Sequence, residues 1–144
     1  MQILGFNLTK INAERSPDFK KGAINTSIDF KDVSKEEVPL IKEEVLRISF
    51  IFTVNYTKGE KDDPKKEKSQ AKVELEGNLL LKATQDESKP ILKDWKKKEL
   101  ATAVKTPLFN IILQKTAAKA LDIEEQLNLP FHIHVPQIQA KPKQ

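Results

Sequence analysis

The sequence predicts an α+β domain: a four-stranded antiparallel, strongly curved sheet followed by two helices and an extended C-terminal segment. Three observations predict it. Apolar and polar side chains alternate with a period of two in four stretches of the first 83 residues, the mark of strands with one buried face. From Glu87 the period becomes helical. The last apolar stretch, Leu129 to Val135, is punctuated by Pro130 and Pro136, which push the residues before them out of the helical region.

In the first strand, Leu4, Phe6 and Leu8 share a side opposite Ile3, Gly5, Asn7 and Thr9. The second sets Ile24, Thr26, Ile28 and Phe30 against Asn25, Ser27, Asp29 and Lys31. The third is the strongest signal: Leu46, Ile48, Phe50, Phe52, Val54 and Tyr56 alternate with Arg47, Ser49, Ile51, Thr53, Asn55 and Thr57, a run of the aromatic and β-branched types that strands favour. In the fourth, Val73, Leu75, Gly77, Leu79 and Leu81 alternate with Lys72, Glu74, Glu76, Asn78 and Lys82. A strand of about 11 residues extends ~36 Å, roughly twice the usual length, so the sheet must twist or curve strongly. Between strands two and three, Ser34 and Glu37 have capping-box spacing, but Pro39 follows too soon for a long helix. A helical turn or bulged connection is expected there. The Lys58–Ser69 linker, with Gly59 and Pro64, is long for a hairpin and is expected to be mobile at its tip.

Ile91, Leu92 and Trp95, and later Leu100 and Val104, fall on one broad helical stripe with charges between them. Thr106-Pro107 then reads as N-cap and first residue of a second helix that runs to about Glu125. Its apolar residues, Leu108, Phe109, Ile111, Ile112, Leu113, Ala117, Ala118, Ala120, Leu121 and Ile123, cover more than one stripe, and Lys115 and Lys119 are its only charges before Asp122. One sheet face covers one side of such a helix. The other side must meet the first helix, the C-terminal segment or another subunit. Residues 1–138 are expected to form a single domain and 139–144 a flexible tail.

A length of 144 residues suits one domain with a real core. At 38% hydrophobic and 32% charged residues the chain is polar but outside the composition of disordered proteins. No apolar run approaches the roughly 18 residues of a membrane span and no signal pattern opens the chain, so a soluble, unprocessed, cytoplasmic protein without membrane insertion is expected. The absence of cysteine removes disulfides, thiolate nucleophiles and thiolate metal sites. Gly5, Gly22, Gly59 and Gly77 are isolated and form no phosphate loop. Glu74 and Glu76 share a strand face, but no nucleophile accompanies them. Neither an enzyme nor a cofactor is expected. His132 and His134 would point the same way on an extended segment, as a metal site needs; with no cysteine and few carboxylates nearby, they read as its polar side and no metal is expected.

The net charge of +4, 25 basic residues against 21 acidic, with a pI near 9.2, invites a nucleic-acid reading. Only Arg15 and Arg47 supply the guanidinium fork that recognises bases and phosphates. Lysines are interleaved with acids, five against four from Lys58 to Lys68. Trp95 with Lys93, Lys96, Lys97 and Lys98 could form a stacking and basic surface, yet a helix places Trp95 on the face of Ile91 and Leu92, buried, with the lysines solvated. Nucleic acid is therefore the weaker reading.

The order of elements, together with Glu76-Gly77-Asn78-Leu79-Leu80-Leu81, Thr106-Pro107-Leu108-Phe109-Asn110-Ile111-Ile112 and Leu127-Asn128-Leu129-Pro130-Phe131-His132-Ile133-His134-Val135-Pro136-Gln137-Ile138, resembles the SecB export-chaperone family. The first motif looks like that family's fourth strand. The second is similar to its Cys-Pro helix start, with Thr106 in place of the cysteine, and the third to its closing Phe-Pro-x-Leu-x-Leu-x-Pro segment. The resemblance implies a homo-oligomer, a dimer or dimer of dimers, in which first strands pair across subunits. It also implies ATP-independent holding of unfolded polypeptide clients in apolar grooves beside the helices; a structural oligomer with no client is, with the nucleic-acid reading, the alternative. Aromatic content makes Phe6, Phe30, Trp95, Phe109 and Phe131 the candidate groove residues. The family's export role docks the basic tail of the SecA motor on an acidic sheet surface; this chain is basic, with Lys72 and Lys82 facing outward, so SecA-type docking is not expected.

Overall fold

Alternation of this strength produces four long strands in the computed structural model of the protein, which describes residues 1–58, 68–134 and 136. These are β1 (Gln2–Arg15), β2 (Ala23–Glu36), β3 (Glu44–Lys58) and β4 (Lys68–Ala83), followed by α1 (Gln85–Trp95) and α2 (Thr102–Gln126). All three ladders are antiparallel and the sheet order is β1-β4-β3-β2. The predicted α+β architecture is the observed one, an open sheet with β1 and β2 at its edges. The linker expected to be mobile, residues 59–67, and the tail 139–144 lie outside the described residues.

The central strands form the core. Leu46, Ile48, Phe50, Phe52, Val54 and Tyr56 of β3 and Val73, Leu75, Leu79 and Leu81 of β4 are all buried, and Ile91, Trp95, Leu108 and Ile112 of the helices join the same apolar cluster. Both helices therefore lie on one face of the sheet, α1 across β2 to β4 and α2 over β4. Gly77 sits where β1 approaches β4 closely: a Cβ there would lie 2.3 Å from the Asn7 carbonyl oxygen and 3.0 Å from Cζ of Phe50. The opposite face carries ion pairs of mixed sign, Lys31–Glu76 at 2.8 Å and Lys72–Glu74 at 3.9 Å among them.

Several local expectations are corrected. β1 is 14 residues long, and register shifts between Ile3 and Gly5 and between Leu8 and Lys10 each insert an extra residue. An inserted residue reverses the alternation that follows it. Ile3 consequently shares the inner face with Phe6 and Leu8 instead of opposing them, because these residues pair with Leu81, Leu79 and Gly77. A similar shift between Phe30 and Asp32 turns Val33 inward opposite Ile48 and carries β2 on to Glu36. Ser34 therefore lies within a strand and caps no helix, and Glu36 accepts a hydrogen bond from Arg47 Nε at 2.9 Å. The connection that follows is a turn, closed by the Ile41 amide on the Val38 carbonyl at 3.3 Å, with Leu40 at φ 73°.

The capping box of this protein is Thr84 with Glu87: the Glu87 amide donates to Thr84 Oγ1 at 3.2 Å and the Thr84 amide to Glu87 Oε1 at 3.2 Å. α1 stops at Trp95, and Lys98 at φ 58° reverses the chain, so Leu100 is buried between the helices and Val104 belongs to α2. α2 begins at Thr102 rather than Pro107. Ala101 is extended at its start, and its carbonyl accepts the amides of Val104 and Lys105 at 2.9 Å each. Pro107 thus stands inside the helix, where it forgoes one backbone hydrogen bond, and Thr106 is helical instead of a cap.

Candidate functional site

The residues of α2 that bury fully are Leu108, Ile112, Thr116, Ala120 and Glu124, one every fourth position. A four-residue spacing on a helix of 3.6 residues per turn traces a single ridge, and Thr116 fits within it by donating its hydroxyl to the Ile112 carbonyl at 2.7 Å. Within one chain the helix is fully buried along this ridge, with Ile111 and Ile123 packed partly against the core, so among the described residues the cover expected on its other side is incomplete. Phe109, Ile111, Leu121 and Ile123 are half-buried, and Leu113 is exposed.

A cavity of about 420 Å³ lies beside this uncovered flank. Its walls are Thr26, Ser27 and Ile28 of the edge strand β2, Phe109 and Leu113 of α2, and His132 and Ile133 of the C-terminal segment. Phe30 stacks on Phe109 with ring centroids 5.0 Å apart and planes 11° from parallel, tying α2 to β2 behind the cavity. Ile28, Phe109, Leu113 and Ile133 make an apolar surface with hydroxyls and one imidazole at its border, the chemistry of a site for apolar side chains. A larger cleft of about 560 Å³ has six charged side chains on its walls, Lys35, Glu36, Glu37, Lys42, Glu43 and Glu44, beside Val38, Pro39 and Ile41.

The third wall is held from below. After α2, Asn128 adopts the left-handed conformation at φ 52° and the Leu129 amide returns to the Glu124 carbonyl at 2.8 Å, a reversal of the kind that ends helices at asparagine or glycine. Leu129 is then buried, and Tyr56 donates its hydroxyl to the Pro130 carbonyl at 2.6 Å. The carboxylate of Glu124, fully buried, uses both oxygens on His132: Oε2 accepts its amide at 3.3 Å and Oε1 pairs with its ring Nδ1. The ring lies edge-on to Phe52, centroids 5.7 Å apart. His132 is thus turned inward while His134 is exposed. The segment bends at residues 132–133, so the two imidazoles do not share a side, and the carboxylate that sequence reading did not place near them comes from α2. Among the described residues no three metal-ligating side chains cluster.

Burial, and then the Glu124 carboxylate beside it, push the Tyr56 phenol above its ordinary value. Tyr56 is the sole tyrosine, so its ionisation can be read directly by absorbance at 295 nm. Because the folded value lies above the unfolded one, the contribution of Tyr56 to stability is fully present below about pH 10 and is lost by up to ~1.4 kcal/mol per pH unit above it. The expected record shows no phenolate between pH 10 and 11 until the protein unfolds; a normal titration with the fold intact would contradict this environment.

Of the five aromatic candidates, the structure brings Phe30 and Phe109 together at the cavity. Phe131 is 43% exposed on the adjoining segment, outside the lining. Phe6 lies on the other edge strand, stacked on Phe50 at 5.5 Å. Trp95 is in the core, with Lys98 Nζ 5.0 Å from the ring centre. Aromatic content alone passed over Ile28, Leu113 and Ile133. Ile28 could have been found from the inward face of its strand and Leu113 from the excess of apolar residues on its helix; nothing local marks Ile133.

No helix among the described residues is long and apolar enough to cross a membrane. No family model and no curated protein matches the chain. Among solved structures, the chain is similar to the SecB-like chaperone Rv1957 of Mycobacterium tuberculosis, in complex with a ChAD peptide from the Rv1956 HigA1 antitoxin, with a TM-score of 0.45 and 19% identity over 99% of this chain and 92% of that one.

Proposed function

We propose that the protein is an ATP-independent holding chaperone that binds unfolded polypeptide segments by their apolar side chains. The observation that carries this reading is the apolar cavity between β2, α2 and the C-terminal segment, rimmed by exposed Leu113 and Ile133. Burial of apolar surface is non-directional and worth about 25 cal/mol per Å², so such a site holds many sequences with little selectivity. Ile28, Phe109, Leu113 and Ile133 are the contact residues of this reading, Phe30 supports Phe109, and Phe131 extends the apolar rim.

The same reading makes the chain one subunit of a homo-oligomer, a dimer or dimer of dimers. β1 is an edge strand with Ile3, Leu4 and Ile11 at 38%, 40% and 52% exposure, and an apolar edge is stabilised by pairing. A cytoplasmic location fits a client of this kind. The mixed charge of the outer sheet face offers no uniformly acidic dock for an export motor.

The test is solution mass followed by suppression of aggregation of a chemically denatured protein at several salt concentrations. The expected result is an oligomer that suppresses aggregation near stoichiometrically without ATP and equally at low and high salt. A nucleic-acid protein would instead bind DNA or RNA with affinity falling steeply as salt rises. A monomer without holding activity would overturn the proposal.

A further inference from the structure

We infer that Glu124, which lines no part of the cavity, is a positioning residue that sets apolar client affinity by fixing the cavity's third wall through His132. This inference rests on the holding-chaperone reading of the cavity. The segment from Leu129 to His134 has no helix or strand of its own, so its place depends on individual tethers. Tyr56 holds Pro130, and the backbone carbonyl of Glu124 holds Leu129. Both act upstream of the cavity. The Glu124 side chain holds the amide and the ring of His132, the residue next to Ile133, whose apolar side chain is 42% exposed at the cavity wall. Because the two oxygens of one buried carboxylate grip the backbone and the side chain of the same residue, the segment is fixed in both position and rotation. His132 is kept inward and Ile133 is left at the rim. Without that grip Ile133 would sample many placements, and the client would bear the cost of ordering it.

Two readouts on the whole chain of 144 residues test this. In Glu124→Leu, hydrogen exchange of the amides from Phe131 to His134 is expected to quicken by roughly tenfold or more, as a protected amide loses its acceptor. Binding of a fluorescein-labelled, uncharged, apolar unfolded peptide is expected to weaken by roughly tenfold, the scale of one partly buried aliphatic side chain. Ile133→Ser should weaken binding similarly alone but less than about twofold in the Glu124→Leu background, since non-additivity marks residues acting through one another. Phe109→Ser, on the wall that α2 holds independently, should add its full loss in either background. Glu124→Leu/His132→Phe fills the site with apolar side chains and guards against simple misfolding. It should fold stably, exchange fast at residues 131–134 and still bind weakly. Unchanged exchange in Glu124→Leu, additive losses for Ile133 and Glu124, or wild-type affinity in the double variant would each overturn the inference. A wild-type protein that binds no peptide would overturn the chaperone reading instead, while exchange would still report whether Glu124 holds the segment.

Discussion

Replacing His132 with phenylalanine is expected to lower the stability of the fold by about 3 kcal/mol, the cost of leaving one oxygen of a buried carboxyl group without its hydrogen-bond partner. Glu124 is wholly buried and the His132 side chain only 3% exposed, so water cannot take the place of the lost imidazole. At this chain length such a loss lowers Tm by roughly 10 °C. The sign reverses for the pair. Glu124→Leu/His132→Phe removes both desolvated groups together and is expected to return to within about 1–2 kcal/mol of the parent, since replacing both partners of a buried hydrogen bond by apolar side chains of similar shape is often nearly neutral. Urea unfolding of the parent, the single and the double variant measures this cycle. A single substitution costing less than about 1 kcal/mol, or a double variant no more stable than the single, would mean that solvent reaches the carboxylate.

Gly77→Ala is expected to destabilise by about 3 kcal/mol, at the upper end of what overpacking usually costs. Elsewhere the same change at a strain-free site stabilises slightly by restricting the unfolded chain. Here the new methyl would meet the Asn7 carbonyl oxygen at 2.3 Å and Phe50 Cζ at 3.0 Å. The nearer obstacle is backbone, which cannot rotate away. Adding Phe50→Leu should therefore fail to rescue Gly77→Ala, although it relieves the second contact. Hydrogen exchange should place the damage along β1, whose only ladder among the described residues runs to β4. Rescue by Phe50→Leu would show that the aromatic ring, and not the strand spacing, sets the requirement for glycine.

These two sites also mark what can be read from the chain alone. Alternation in β3 is legible because every second residue from Leu46 to Tyr56 enters one buried face, and a glycine among alternating leucines already hints at close approach. The inserted residues at Leu4, Thr9 and Lys31 are not legible, because a bulge depends on the register of the partner strand and not on the residue inserted. Thr-Pro is a valid start signal at 106–107, yet Ala101 starts the helix: tertiary placement of buried Leu100 fixes where the chain can turn. The candidate cavity is half legible. Phe30 and Phe109 announce themselves by type. The joining of Glu124 to His132 follows from the reversal at Asn128, and a helix-stripe glutamate eight residues before a histidine carries no signal until that reversal is known.

The outer sheet face bears on function as well. Its lysines and glutamates neutralise one another locally, as in Lys31–Glu76 and Lys82–Glu43 at 2.8 and 3.3 Å. The net charge of +4 is therefore a weak guide to any partner, and the apolar flank of α2 is the stronger one. The proposed client, an unfolded polypeptide, is read from that apolar flank and not from charge.

The central claim is that clients are held between β2, α2 and the C-terminal segment. Its most direct test is methyl and amide NMR of the isotope-labelled protein titrated with an unfolded, uncharged apolar peptide. Saturable shifts are expected at Thr26, Ser27, Ile28, Phe109, Leu113 and Ile133, with Ile91 and Leu100 in the core unmoved. Shifts confined to the exposed edge of β1 or to the lysines around Trp95, or no shifts with excess peptide at protein concentrations that suppress aggregation, would contradict it.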